Sequence, residues 1–129
     1  RILEIASHTD NNKLLEKATH YSKNKNPICG DEMEISLIVK DNVVKKMGYQ
    51  GKSCVYCQAS VSLLSRKIKN KNIKKIKQFI NNVEKIFDTT KIDLENHWKE
   101  FKELFDKKNI SRKECILLPF KTLKKIVSD

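Results

Sequence analysis

The stretch Met33–Cys54, MEISLIVKDNVVKKMGYQGKSC, decides the architecture. Met33, Ile35, Leu37 and Val39 alternate with Glu34, Ser36 and Ile38, the period-two pattern of a strand with one mostly apolar face. Asp41 and Asn42 supply a tight turn, and Val43 to Tyr49 return as a second strand. A hairpin begins and ends at the same end of its sheet. Cys29, just before it, and Cys54, just after it, are therefore expected near each other.

Upstream, Ile2 to Ser7 reads as a short helix, HTDNN as a polar turn and ATHYS (residues 18–22) as a short strand. NPICGD (26–31) is a loop, since Asn-Pro starts turns and Gly30 admits a φ that other residues resist. Downstream, the pattern turns helical from Ser53, with Val55, Ala59, Ser62 and Leu63 on one face. A second helix is expected over 72–87, where Ile73, Ile76, Ile80, Val83 and Phe87 form one stripe. DTTKID (88–93) breaks it. Asp93 is the expected N-cap of a third helix with Leu94, Trp98, Phe101 and Phe105 on one face, a core stripe. DKKNISRKEC (106–115) is a connector. Pro119 is expected in the first turn of a last helix lined by Phe120, Leu123 and Val127. The expected fold is α+β: a small antiparallel sheet of about three strands packed against a helical layer. With no internal repeat or linker, residues 1–129 read as one domain.

The chain carries 27 basic and 16 acidic residues, for a net charge of +11. Lysine and asparagine are used heavily together, and basic residues recur through most of the chain without interleaved aromatics. That composition reads as a solvated basic surface, so nucleic acid is not expected as a partner; a basic face for an acidic protein stays open. No apolar run reaches the roughly 18 residues of a membrane span. The sequence begins at Arg1 rather than Met, so a few N-terminal residues are expected to be missing, and no secretory leader is visible. Four cysteines in that setting point to a reducing compartment, the cytoplasm, and to metal or catalytic use rather than disulfides.

The pair Cys54 and Cys57 looks like a C-x-x-C motif. A zinc ribbon would need a second such pair, and a thioredoxin-like site would need a βαβ order; both are missing. The segment CGD is more informative. Cys29 and Asp31 flank Gly30, so both side chains can face one side of a turn. Cys54 follows the hairpin, and Cys115 stands at an expected helix start, where N–H groups favour a thiolate. Cys29, Asp31, Cys54 and Cys115 together make three sulfurs and one oxygen, a closed set for zinc and also a set for an iron–sulfur cluster. Cys57 reads as a buried helix residue or an accessory thiol. Arg112 reads equally as a solvated charge or as a cation steadying thiolates near Cys115. His8, His20 and His97 lie outside the cysteine segments and read as surface or structural residues.

NPICGD, GKSCVYCQAS and RKECILLPFKTL resemble, in order, the three signature segments of the IscU/SufU family, iron–sulfur cluster assembly scaffolds related to the N-terminal part of NifU. The family pattern is a C-G-D loop, then G-x-G-C-x-x-x-x-A-S, then a third cysteine opening the last helix. LLEKATHYSKNKNPICGD also resembles the approach to the first cysteine. The SufU-type branch is the better match. The stretch between Cys54 and Cys115 is long enough to hold two helices, as in SufU-type members, Glu114 stands where IscU-type members have His, and Arg112 lies three positions before the cysteine. The sequence departs from the pattern at Ser53, where a glycine is usual, and at the additional Cys57.

The resemblance implies a zinc ion on Cys29, Asp31, Cys54 and Cys115, with Cys29 as the sulfur acceptor. It implies a pyridoxal-phosphate-dependent cysteine desulfurase as sulfur donor and downstream iron–sulfur assembly or acceptor proteins as recipients. A rival within the resemblance is a scaffold that builds a transient [2Fe–2S] cluster on the same ligands. A rival outside it is a basic nucleic-acid-binding domain with a structural zinc.

Overall fold

The computed structural model describes residues 2–27, 30–88 and 94–127. Three antiparallel strands, β1 (His20–Lys25), β2 (Glu32–Lys40) and β3 (Val43–Gln50), form a sheet in the order β1-β2-β3. A short helix α1 (Ile2–Ala6) precedes it. Behind the sheet lie α2 (Val55–Lys67), α3 (Ile73–Val83) and α4 (Lys113–Val127). The α+β class and the three-stranded sheet are as expected. Among the described residues no helix is long and apolar enough to cross a membrane.

The hairpin follows its pattern. Met33, Ile35 and Leu37 are buried on β2, and Asp41 and Asn42 turn the chain with positive φ. The opposite face is covered as well. Ser36 is buried, its hydroxyl accepts from the Leu15 N–H at 2.9 Å, and Tyr49 donates its N–H to the Asn11 carbonyl. One register detail breaks the alternation. Ile38 pairs with Lys46 and Val39 with Val44, so Lys45 is the extra residue of a β-bulge, and Lys45 and Lys46 both reach solvent.

α2 is the central helix. It is buried from Ala59 through Ser65, so the one-sided face expected for it is too narrow. Its serines are tolerated in the interior because each hydroxyl has a carbonyl acceptor: Ser60 bonds Ile116, Ser62 bonds His8 and Ser65 bonds Ser62. α3 is capped by Asn72, whose side chain accepts from the Lys74 N–H at 2.7 Å. Phe79 of α3 stacks on Trp98 at 3.9 Å, while Phe101 and Phe120 close around it.

Five further expectations need correction. The first strand runs His20–Lys25 instead of 18–22, because only its pairing with β2 defines its end. The helix begun at Asn72 ends at Val83, with a 3-10 turn at Ile86–Asp88. The third helix is a 3-10 helix, Asn96–Glu103, in which Trp98 and Phe101 are buried; its expected cap, Asp93, lies outside the described residues. The connector holds a second 3-10 helix, Lys107–Arg112, that runs straight into α4. Pro119 therefore falls in the middle of α4 rather than in its first turn. There it withholds a helix N–H from the Cys115 carbonyl.

Candidate metal and sulfur site

Three elements converge at the end of the sheet where β2 begins and β3 finishes. Asp31 immediately precedes β2, Cys54 is the N-cap of α2, and Cys115 lies in the first turn of α4. One carboxylate oxygen of Asp31 and the sulfurs of Cys54 and Cys115 all lie within 4.8 Å of one another. Cys115 is 7% exposed; Asp31 and Cys54 are half-buried. The Cys54 N–H also points to Asp31 Oδ2, at 3.4 Å.

Local chemistry explains how the chain reaches this arrangement. Glu32 donates its N–H to the Lys52 carbonyl at 2.8 Å, joining the start of β2 to the loop that leads into α2. Gly51 passes so close that an added Cβ would stand 2.1 Å from the Glu32 carbonyl oxygen. On the other side, Asn26 donates to the Asp31 carbonyl and accepts from the Gly30 N–H, both at 2.8 Å, and Gly30 has φ +77°. These bonds tie together the two ends of the loop that contains Cys29. Cys29 itself lies outside the described residues. Ser53, in place of the glycine of the family pattern, has its hydroxyl occupied by the Gln58 amide.

The remaining sequence-predicted residues sit around this group. Cys57 is fully buried in α2 and is not one of the three clustered donors. Arg112 is exposed, and its guanidinium lies 5.5 Å above the Tyr56 ring, two residues beyond Cys54. His97 meets the Lys67 carbonyl and His20 meets Thr19; neither belongs to the group. Tyr56 and Ser60 were not singled out from the sequence. Tyr56 carries Arg112 at the rim, and Ser60 links α2 to α4 at 2.7 Å. A tyrosine inside the cysteine segment was the available signal for the first, and the closing serine of the G-x-G-C-x-x-x-x-A-S pattern for the second.

The donors suit a soft or borderline metal. Thiolates sharing a tetrahedral zinc ion lie roughly 3.8 Å apart, given Zn–S distances of about 2.3 Å. A group spread over no more than 4.8 Å needs little adjustment to close on such an ion. Two sulfurs and a carboxylate are equally compatible with iron–sulfur chemistry.

Residues 1–97 match the model of the NifU-like N-terminal domain. The iron–sulfur cluster assembly scaffold protein IscU of Thermotoga maritima is 36% identical over 124 residues, which is 95% of this chain and 87% of that protein. An uncharacterized protein of Borreliella burgdorferi is 26% identical, over 88% of this chain and 79% of that protein. Among solved structures, a protein described as a candidate iron–sulfur cluster assembly scaffold for the SUF system of Fervidobacterium islandicum superposes with a TM-score of 0.89 at 24% identity. It covers 98% of this chain and 93% of that one. The N-terminal part of a nitrogen-fixing NifU-like protein from Brucella abortus gives the same TM-score at 19% identity, over 98% and 89% of the two chains. At these identities the two structures speak for the fold. The family match and the 36% identity extend to descent: the chain belongs to the NifU-like N-terminal domain family, the iron–sulfur cluster assembly scaffolds of the IscU and SufU type.

Proposed function

We infer that this protein is an iron–sulfur cluster assembly scaffold that accepts sulfur from a pyridoxal-phosphate-dependent cysteine desulfurase at a zinc-holding Cys29, Asp31, Cys54 and Cys115 site. The supporting observation is the convergence of Asp31, Cys54 and Cys115 within 4.8 Å, with the ends of the Cys29 loop tied beside them. Bound there, zinc would hold its thiolate ligands deprotonated and guard them from oxidation.

The chain's own residues then divide the work. Cys54 and Cys115 are anchored at helix starts, whereas Cys29 reads from the sequence NPICGD as a loop residue. A loop thiolate is the freest of the three to leave and to react. The Cys29 thiolate attacks the outer sulfur of the desulfurase persulfide. The persulfide S–S bond breaks, a new S–S bond forms on Cys29, and the desulfurase cysteine departs as a thiolate without net oxidation. Downstream assembly or acceptor proteins take the sulfur onward. Glu114 in place of His and Arg112 three positions before Cys115 support a SufU-type role.

The test is Cys29→Ser mixed with a cognate desulfurase and cysteine. Loss of desulfurase stimulation and of persulfide labelling is expected; wild-type levels of both would refute the assignment.

A second reading is favoured by the 36% identity to a scaffold named IscU. On it, a [2Fe–2S] cluster is the cargo, assembled on the same ligands and passed on. Elemental analysis and visible absorbance after anaerobic loading with iron and sulfide separate the two. Stoichiometric zinc that resists replacement supports sulfur transfer, and a stable coloured cluster supports assembly in place.

A further inference from the structure

The positive charge is not dispersed as its composition suggested. Between Asp41 and Glu84 there is no acidic residue, yet ten lysines and arginines fall there. The remainder of the chain holds 17 basic and 16 acidic residues, so this one stretch carries nearly all of the +11. A general bias toward lysine would enrich the whole chain and would not remove carboxylates from one part of it.

The fold gathers much of this charge at one pole. The α2–α3 turn pairs with the start of β3: Asn70 donates to the Val44 carbonyl at 2.7 Å, Val44 to the Lys71 carbonyl at 3.0 Å and Ile73 to the Asn42 carbonyl at 2.8 Å. Lys69, Lys71, Lys74 and Lys77 thereby join Lys45 and Lys46, both turned outward by the bulge. All six except the half-buried Lys71 are exposed, and among the described residues none is in an ion pair. Asp41, at the hairpin tip, is an exposed carboxylate at the edge of the group. β2 runs from the metal site to this pole, a separation of roughly 26 Å at about 3.3 Å per residue.

We propose that this pole is a binding surface for the phosphate backbone of double-stranded nucleic acid. A duplex presents about one negative charge per 1.7 Å of axis, the densest natural match to unpaired lysines side by side. Asn42, Asn70, Asn81 and Gln78 add exposed amides of the kind that also contact phosphates. The rest of the surface argues against other polyanions. Among the described residues the exposed large hydrophobics are Leu3, Leu14, Tyr21 and Ile110, all outside the pole. A protein interface would want an aromatic or apolar anchor, a membrane surface an apolar face to insert, and single strands an aromatic platform.

The experiment is fluorescence anisotropy with a short labelled DNA duplex, with poly-L-glutamate and phosphatidylserine vesicles as competitors. Binding by the wild type is expected to weaken about a hundredfold between 50 and 200 mM salt, the slope for about four contacted phosphates. Lys45→Gln/Lys46→Gln/Lys74→Gln/Lys77→Gln should lose at least about tenfold in affinity at the lower salt and flatten the slope. Lys121→Gln/Lys125→Gln, which removes charge elsewhere, should bind as wild type. Circular dichroism and metal content should match the wild type in both variants. Absence of duplex binding at the lower salt, unchanged binding by the fourfold variant, or tighter binding to poly-L-glutamate or to vesicles would overturn the proposal. Sulfur acceptance at Cys29 is read by a separate assay and stands or falls independently.

Discussion

The Ser60 hydroxyl donates to the Ile116 carbonyl oxygen at 2.7 Å, joining the helix that starts at Cys54 to the helix that carries Cys115. Ile116 lies three residues before Pro119, where the proline ring disturbs the helical hydrogen-bond ladder. A buried serine thus supports α4 at its weakest turn. Ser60→Ala leaves that carbonyl poorly satisfied and is expected to cost about 1–3 kcal/mol. Urea unfolding monitors this directly. A companion loss of metal retention, measured by elemental analysis, would separate a strut for Cys115 from a general stability defect. Ser60→Thr keeps the donor but overfills a fully buried position, so it should recover metal retention better than stability.

Asp31→Ala removes the oxygen from the donor group while Cys54 and Cys115 stay in place. Metal affinity should fall at least about tenfold, by analogy with losses from single changes at metal sites. Competition with a chromophoric chelator gives the number. Stripping the wild type with a chelator should also lower its melting temperature, because a ligand held only by the folded chain stabilises it. In Asp31→Ala that drop should be smaller.

Gly51→Ala would bring a methyl group to 2.1 Å from the Glu32 carbonyl oxygen, a backbone atom with little room to retreat. The loop between β3 and α2 must then move, taking Cys54 away from Asp31. Destabilisation of about 1–3 kcal/mol is expected. Thiol reactivity of the chelated protein should rise at Cys54 as the site opens, which alkylation mass spectrometry can follow.

Tyr49 is 1% exposed, and burial is the main cause that pushes its phenol above the ordinary value of 10.0; the Ser62 hydrogen bond and Arg66 oppose this. Its folded-state proton is held more tightly than in the unfolded chain. The contribution is therefore complete below pH 10.0 and is lost as pH climbs through that value toward the folded one. Stability should fall on the alkaline side, and Tyr49→Phe should flatten this limb relative to wild type. Urea midpoints from neutral pH to about 11 test the difference while the lysines, common to both proteins, cancel.

The hairpin from Met33 to Tyr49 was legible because a two-residue period needs only local sequence. The stripe from Ile73 to Val83 was legible for the same reason. β1 was harder: only Ser22 is buried among its six residues, so no apolar alternation marked its end. The stripe Trp98, Phe101 and Phe105 identified buried positions, yet a three- and four-residue spacing serves a 3-10 helix as well as an α-helix. The bulge at Lys45 depends on the strand opposite and leaves no local trace in VVKK. At the site, the segments around Asp31, Cys54 and Cys115 were readable as a motif set. The stacking of Arg112 on Tyr56 and the bond from Ser60 to Ile116 were not, since each joins residues more than fifty positions apart.

The distribution of donors along the chain sets an order of events in synthesis. Asp31 and Cys54 leave the ribosome well ahead of Cys115, which must wait for α2, α3 and the 3-10 segments that follow them. At about 5–20 residues per second, several seconds separate their appearance. A nascent or truncated chain lacking α4 carries three of the four proposed donors, Cys29, Asp31 and Cys54, and lacks Cys115. On the proposed four-donor site, the set is completed only when α4 docks, so a full complement of metal would mark finished molecules.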